Sequence, residues 1–428
     1  MKQHLKYKSS GIEWIGEIPE HWAVKRLKYS DDVIMGQSPE SEDCNKTGIG
    51  IPFLQGNADF SQLSPIPSVW CEVANKIVDT DDILISVRAP VGAVNIADRK
   101  YGIGRGLCAV RPKTTNKKLI YYQSLCLSEP LNKIATGSTY TAVSVEQISN
   151  MYLPYPPKEE QKARADFLDN KIAQVDDLIV KKQSMIELLK EQRSVVINEA
   201  VTKGLNPDVK MKDSGVEWIG DVPEHWDRVR LKTIVGIRIT DGPHETPDFV
   251  DNGVPFISAE GIYNEKINFE SRRGNITIDE HRRFCEKSKP QRNDILFVKS
   301  GSTTGKIGIV ETDEEFNIWS PLAIVRQKLG VSFWQFMFFF MLSDYFQKQV
   351  QLFWSFGTQP NIGMNVLENL WITKPPISEQ IKIAKYLYNF TEKSNIAIEI
   401  EEKGIKLLNE YRMALISEVV TGKIKIGD

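Results

Sequence analysis

The chain has 428 residues, of which 41% are hydrophobic and 26% charged, with a formal net charge of −2. This is an ordinary globular composition with room for two to four domains, each able to bury its own core. The longest apolar run, Phe333 to Leu342, is far too short to cross a bilayer, and the opening Met-Lys-Gln-His-Leu-Lys is too polar for a signal peptide. A cytoplasmic protein with no membrane partner is expected. The five cysteines (44, 71, 108, 126 and 285) form no CxxC pair and no paired spacing with histidine, so reduced thiols are expected.

The first feature in chain order is one half of a repeat. Residues 6–28 return at 210–232 with 15 identities in 23, including Trp14-Ile-Gly-Glu-Ile-Pro-Glu-His-Trp22 against Trp218 to Trp226. An offset of 204 with that identity marks an internal duplication. Tyr155-Pro-Pro-Lys-Glu-Glu-Gln161 returns as Lys374-Pro-Pro-Ile-Ser-Glu-Gln380, and Leu188 to Arg193 returns as Leu407 to Arg412, both at an offset of 219. The ends of each half are alike and the middles differ, which is the pattern of a shared frame with exchangeable inserts. His21 and His225 hold the same place in both copies and suit packing or capping. Trp14, Trp22, Trp218 and Trp226 are expected to pack against the helical segment after each Pro-Pro, with a partner-facing patch as the other reading.

The middle regions, about 23–152 and 227–373, read as mixed α/β. Asp82-Ile-Leu-Ile-Ser-Val-Arg88 and Asp294-Ile-Leu-Phe-Val-Lys299 are strand-like runs between turn-forming clusters. Pro52-Phe53 against Pro255-Phe256, and Val110-Arg111 against Val325-Arg326, suggest one fold for both. The segment 333–353 reads as a single buried helix with Asp344, Gln347, Lys348 and Gln351 on its wet side.

After each Pro-Pro the pattern becomes helical. Leu168, Ile172, Val175, Ile179, Ile186, Leu189, Val196 and Ala200 repeat at about 3.5 residues, and Leu387, Ile398, Ile405, Leu408, Leu415 and Val419 do so in the second copy. Lys182, Arg193, Thr391, Ser394, Glu401 and Arg412 interrupt the stripes. This period predicts a left-handed coiled coil. A helix from about 158 to 203 is roughly 70 Å long at 1.5 Å per residue, and a second of equal length can return beside it. The expected fold is therefore α+β, with two pseudo-twofold-related mixed α/β bodies separated by two long antiparallel helices. Boundaries fall at 1–152, 153–208, 209–373 and 374–428.

Catalytic motifs are sparse. Gly301-Ser-Thr-Thr-Gly305-Lys306-Ile307 has too few residues between its glycines for a phosphate loop, and Ile307 stands where a magnesium-binding hydroxyl belongs. Gly102-Ile-Gly104-Arg-Gly106 is no dinucleotide fingerprint and reads as a turn. No Asn-Pro-Pro-aromatic motif, metal-ligand cluster or paired nuclease carboxylates appear. No catalytic residue, metal or bound cofactor is expected in this chain.

Charge is segregated instead. Residues 81–118 carry eight basic and three acidic groups, and residues 266–306 carry ten and five. Two such segments beside turns rich in small hydroxyl donors suit DNA phosphates and base edges. The candidate DNA-binding residues are Arg88, Arg99, Lys100, Arg105, Ser138, Thr139, Tyr140 and Thr141 in the first middle. In the second they are Arg272, Arg273, Arg282, Arg283, Lys299, Ser302, Thr303, Thr304, Lys306, Gln359 and Asn361.

The duplicated Trp-Ile-Gly and Pro-Pro-x-x-Glu-Gln elements, with Asp82-Ile-Leu84 and Asp294-Ile-Leu296, resemble the specificity subunit of type I restriction–modification enzymes over essentially the whole chain. The resemblance implies two target recognition domains, each reading half of a bipartite site in double-stranded DNA, and a coiled coil that fixes the gap. It implies partners: two methylation subunits using S-adenosylmethionine, and two restriction subunits using ATP and Mg2+. Catalysis then belongs to those partners. The specificity component of a type II-like or solitary methyltransferase, a coiled-coil adaptor with two protein-binding heads, and a self-contained enzyme are the competing readings.

Overall fold

The computed structural model describes residues 6–136, 141–356 and 359–426. The chain divides into two compact units, 1–183 with 402–428 and 184–401, so the division runs through both long helices. Those helices span Lys158–Lys203 and Ile377–Val420. Glu159, Glu160 and Glu379 lie in their first turns, where the helix dipole favours negative charge. Both end at a glycine in the left-handed region, Gly204 at φ +78° and Gly422 at φ +79°, the conformation that closes a helix C-terminus most cheaply with glycine.

In the first unit a four-stranded antiparallel sheet runs in the order Val94–Ile96, Ile83–Ser86, Leu107–Arg111, Asp32–Met35. A five-stranded sheet lies beside it, with one parallel pairing that joins Phe53 to Gly102. Helix Lys117–Leu125, capped by the Asn116 side chain, buries Leu119 and Ile120 in the same core as Leu168 and Ile172 of the first long helix and Leu415 and Val419 of the second. Here the beginning of one long helix meets the end of the other, antiparallel. Each fully buried Leu or Ile contributes about 1.5–3 kcal/mol relative to exposure.

The second unit repeats the plan with additions. Its main sheet has six strands, Thr240–Asp241, Leu322–Val325, Ile295–Val298, Ile307–Ile309, Lys266–Ile267 and Ile262–Tyr263, and a four-stranded sheet joins Phe256 in parallel to Asn317. Ile197, Val201, Ile383 and Leu387 of the long helices share a core with Phe336, Phe340 and Phe346. Thr391 and Ser394, expected to interrupt the stripe, are buried within it.

Two expectations need correction. The segment 333–353 is two helices, Trp334–Leu342 and Asp344–Phe353, because Ser343 takes an extended conformation and its hydroxyl caps the second by accepting from the Phe346 N–H. Asp344, Lys348 and Gln351 are exposed, but Gln347 turns inward and donates to the Gly305 and Met341 carbonyls. Nor are all five cysteines free thiols. Cys44 and Cys71 face one another across antiparallel strands with Cα atoms 4.2 Å apart and form a disulfide, an approach that a spacing of 27 residues does not advertise.

Candidate DNA interface

The repeated motifs build a frame in each unit. Trp22 and Trp226 are fully buried. Their indole N–H groups donate to Glu160 at 3.1 Å and Glu379 at 2.9 Å, and His21 and His225 reach the same two carboxylates. Gln161 and Gln380 are also buried. Each accepts a backbone N–H at the start of a domain helix (from Asn116 and Phe333) and donates back to its own Pro-Pro (Pro156 and Pro375). Both tryptophans also lie against the glycine that ends a long helix: a Cβ at Gly422 would come within 2.9 Å of Trp22, and one at Gly204 within 3.1 Å of Trp226. Trp14 and Trp218 are half-buried. The duplicated residues therefore hold long helix to globular body.

A second device fixes one end of each main sheet. Arg111 binds Asp82 at 2.6 Å, and Arg326 binds Asp294 at 2.7 Å. Both aspartates are buried and also accept a backbone N–H, from Asp79 and Gln291. A carboxylate buried this deeply requires such complete pairing. Lys100 lies at this end with Asp79, and Arg99 pairs with Asp98. Arg105 stands at the opposite end of the strand Tyr101–Ile103, so the structure does not group these three candidates.

The other end of each sheet carries loops whose side chains differ between the two units, and here most candidates converge. In the first unit the chain after Ile83–Ser86 turns back at 87–93, and Arg88 forms a bridge with Ala142 while the Ala89 N–H donates to Thr141. In the second, Ser300 bridges Asn361 and the Gly301 N–H donates to Pro360. The same strap is laid over the same hairpin in both halves. Ser138, Thr139 and Tyr140 lie outside the described residues; Thr141, Gln359 and Asn361 are exposed beside their hairpins.

Gly301 to Lys306 is a hairpin between the antiparallel strands Ile295–Val298 and Ile307–Ile309, whereas a phosphate loop leads from strand to helix. Ser302 and Lys306 are exposed and Thr303 half-buried, while the Thr304 hydroxyl donates inward to Gly301 and Pro360 carbonyls. Lys299 is turned away from the surface to Asp241 at 3.2 Å.

Arg105 projects from a turn that only glycine permits. A Cβ on Gly104 would meet Gln55 at 2.5 Å, one on Gly106 the Gln55 carbonyl at 2.5 Å, and one on Gly36 the Gly104 carbonyl at 2.1 Å. Arg105 stands exposed beside Ser38 and Gln55, whose side chains bond to one another at 3.0 Å. Sequence reasoning missed Ser38 and Gln55; the signal is a nearby glycine, Gly36 two residues before Ser38 and Gly56 next to Gln55. In the second unit Arg273 lies 5.0 Å from the Trp319 ring, and Arg283 binds Glu245 at 2.6 Å. Arg272 donates to the Phe269 carbonyl and Arg282 pairs with Asp279 of its own helix. Asp241, His244 and Lys287, also missed, gather around Lys299.

Each unit thus presents exposed cationic and amide groups on loops fixed by a sheet, an arrangement able to contact phosphate oxygens and base edges. Among the described residues no group of three or more His, Cys, Asp or Glu side chains is placed to hold a metal ion, and no helix is long and apolar enough to cross a membrane.

A family model described as "Type I restriction modification DNA specificity domain" matches residues 19–188 and 223–407. The chain is 40% identical over 206 residues to the putative type I restriction enzyme MjaX specificity subunit of Methanocaldococcus jannaschii, covering 47% of this chain and 46% of that relative, about half its length. It is 26% identical over 424 residues to the type I restriction enzyme MjaVIII specificity subunit of the same organism, covering 96% and 94%. To the EcoBI specificity subunit of Escherichia coli it is 20% identical, covering 96% and 88%. A solved chain from work on complex assembly and conformational transition of the type I R-M system superposes with a TM-score of 0.71 at 16% identity, covering 95% and 99%. The HsdS subunit from Thermoanaerobacter tengcongensis gives 0.51 at 14% identity, covering 95% and 98%. Both show likeness of fold.

Proposed function

Given that the chain belongs to the type I restriction–modification DNA specificity family, we propose that it is the DNA-reading subunit of such an enzyme and performs no chemistry itself. Each unit reads one half of a bipartite, asymmetric site in double-stranded DNA. The paired long helices fix the gap between half-sites and dock two methylation subunits, with two restriction subunits joining the assembly. S-adenosylmethionine, ATP and Mg2+ are used by those partners, in the cytoplasm. Among this chain's own residues, Arg88, Arg105 and Thr141 serve the first half-site, and Arg273, Arg283, Ser302, Lys306, Gln359 and Asn361 the second.

The observation that carries this reading is the contrast between the two ends of each sheet. One end repeats the same buried ion pair in both units, while the other carries the same hairpin-and-strap backbone with different side chains. Such a surface suits two unlike half-sites. Selection of bound duplexes from a random pool, by the chain purified with its methylation subunit, tests it. Enrichment of two unlike short motifs at a fixed separation is expected; enrichment of none, by an intact complex, overturns it.

A further inference from the structure

The loop Asp241–Glu245 carries a cluster of charged side chains at a strand position where the first unit has Met35. Asp241 is fully buried, and two lysines and a histidine surround it. Lys287 Nζ lies 2.6 Å from Oδ1, Lys299 Nζ 3.2 Å from Oδ2 and His244 Nε2 3.1 Å from Oδ2. Burial works to raise the Asp241 carboxyl, but its lysine contacts outweigh that and hold it below the usual carboxylate range. One negative charge is therefore set against two lysines, and against a third cation when His244 is protonated. The adjacent Glu245 is paired with Arg283.

The geometry sorts these groups into a floor and a rim. The Lys299 side chain is 12% exposed and pins Asp241 from beneath, whereas those of Lys287 and His244 are 48% and 68% exposed. Lys287 gives two of its three N–H donors to Asp241 and the Gly242 carbonyl, leaving one for solvent or ligand. The loop is rigid where it matters. A Cβ at Gly242 would lie 1.9 Å from the Ile318 carbonyl, and the Pro243 carbonyl accepts from the Ser320 N–H. The site is continuous with the proposed reading surface, because Lys299 leads into the Ser300–Lys306 hairpin and its carbonyl accepts from Ile362 of the strap.

Strand pairing places Met35 of the first unit at the position of Asp241. Met35 faces Cys108 next to Gly36, which bonds Leu107, and Asp241 faces Ala323 next to Gly242, which bonds Leu322. We propose that Asp241 is a positioning residue that holds Lys287 and His244 as a seat for one backbone phosphate of the second half-site, with no counterpart in the first unit. This rests on the DNA-reading function proposed above.

The test uses the complex with methylation subunits and its selected duplex, with binding measured against salt. Replacing one phosphate at a time across the second half-site by neutral methylphosphonate is expected to find a position that weakens the wild type about tenfold, the size of one charge-assisted contact. Lys287→Gln, a change at the surface, should weaken binding to the same degree, lower the salt slope by about 0.9 and make that methylphosphonate nearly silent. Asp241→Asn gives the sharpest contrast. It adds one unit of positive charge, so a simple field effect predicts tighter and steeper binding, whereas loss of positioning predicts weaker and shallower binding. Tighter or unchanged binding by Asp241→Asn, or full additivity of Lys287→Gln with every methylphosphonate, overturns the seat. Failure of the wild type to separate the selected duplex from a scrambled one overturns the DNA reading instead.

Discussion

The Trp226 indole donates to Glu379 at 2.9 Å, as Trp22 does to Glu160 at 3.1 Å. One carboxylate in the first turn of a long helix thus anchors the buried tryptophan that closes each Trp-Ile-Gly motif, and that tryptophan lies against the glycine ending the other long helix. The residues repeated most faithfully are the joints between helix and body.

Glu160 should therefore matter to stability, with a defined acid dependence. Burial works to raise its carboxyl, but the hydrogen bonds from His21 and Trp22 and the charge of Arg164 leave it below the ordinary value. A depressed carboxylate stabilises fully above its unfolded pKa, about 4.3, and that contribution is lost as pH falls through the lower folded value. Glu160→Gln should lower stability at pH 7 by about 1–3 kcal/mol. In denaturant unfolding its deficit should shrink below about pH 4; a deficit that grows on acidification contradicts this.

The buried Asp294 and its partner Arg326 give a second expectation. Asp294→Ala leaves a half-buried guanidinium without its carboxylate and should cost about 3 kcal/mol in thermal or denaturant unfolding. Because this pair closes the sheet end remote from the hairpin, the selected DNA motif should not change in protein that remains folded. A changed second half-site would place Asp294 in recognition.

Charge at the loop end should separate residues that sequence reasoning grouped. Arg105 and Lys306 are exposed, and each substitution by alanine should lower the salt slope of DNA binding by about 0.9. Arg282 pairs with its own helix and Arg99 with its neighbour Asp98, so Arg282→Ala and Arg99→Ala should leave the slope unaltered. Equal effects from all four would mean that a diffuse field, not located contacts, drives binding.

The frame was legible because duplication and heptad spacing are periodic, and periodicity survives in one dimension. The Trp-Ile-Gly copies, the Pro-Pro-x-x-Glu-Gln copies and the helix from about 158 to 203 were all readable as sequence. The Arg111 and Arg326 match was visible too, although its cause, a buried aspartate 29 and 32 residues earlier, was not. The site was harder. Lys287 meets Asp241 across 46 residues, and Arg105 meets Ser38 across 67, contacts that only the sheet brings together. Lys299 looked like a surface cation because charge is readable in sequence and burial is not. Ser343-Asp344, directly after the apolar run, was a readable cap signal that the single-helix reading passed over, whereas the Cys44–Cys71 pair was hidden because only the sheet brings it together.

The most direct test of the central claim is to map methylated adenines in host DNA by single-molecule sequencing, with this chain and its methylation subunit expressed together. The account predicts one motif, with two unlike halves at a fixed gap, and a change confined to the second half when the hairpin Ser300–Lys306 and the strap residues 359–362 are exchanged for those of a relative. Methylation with no motif, or a swap that alters both halves, would contradict it.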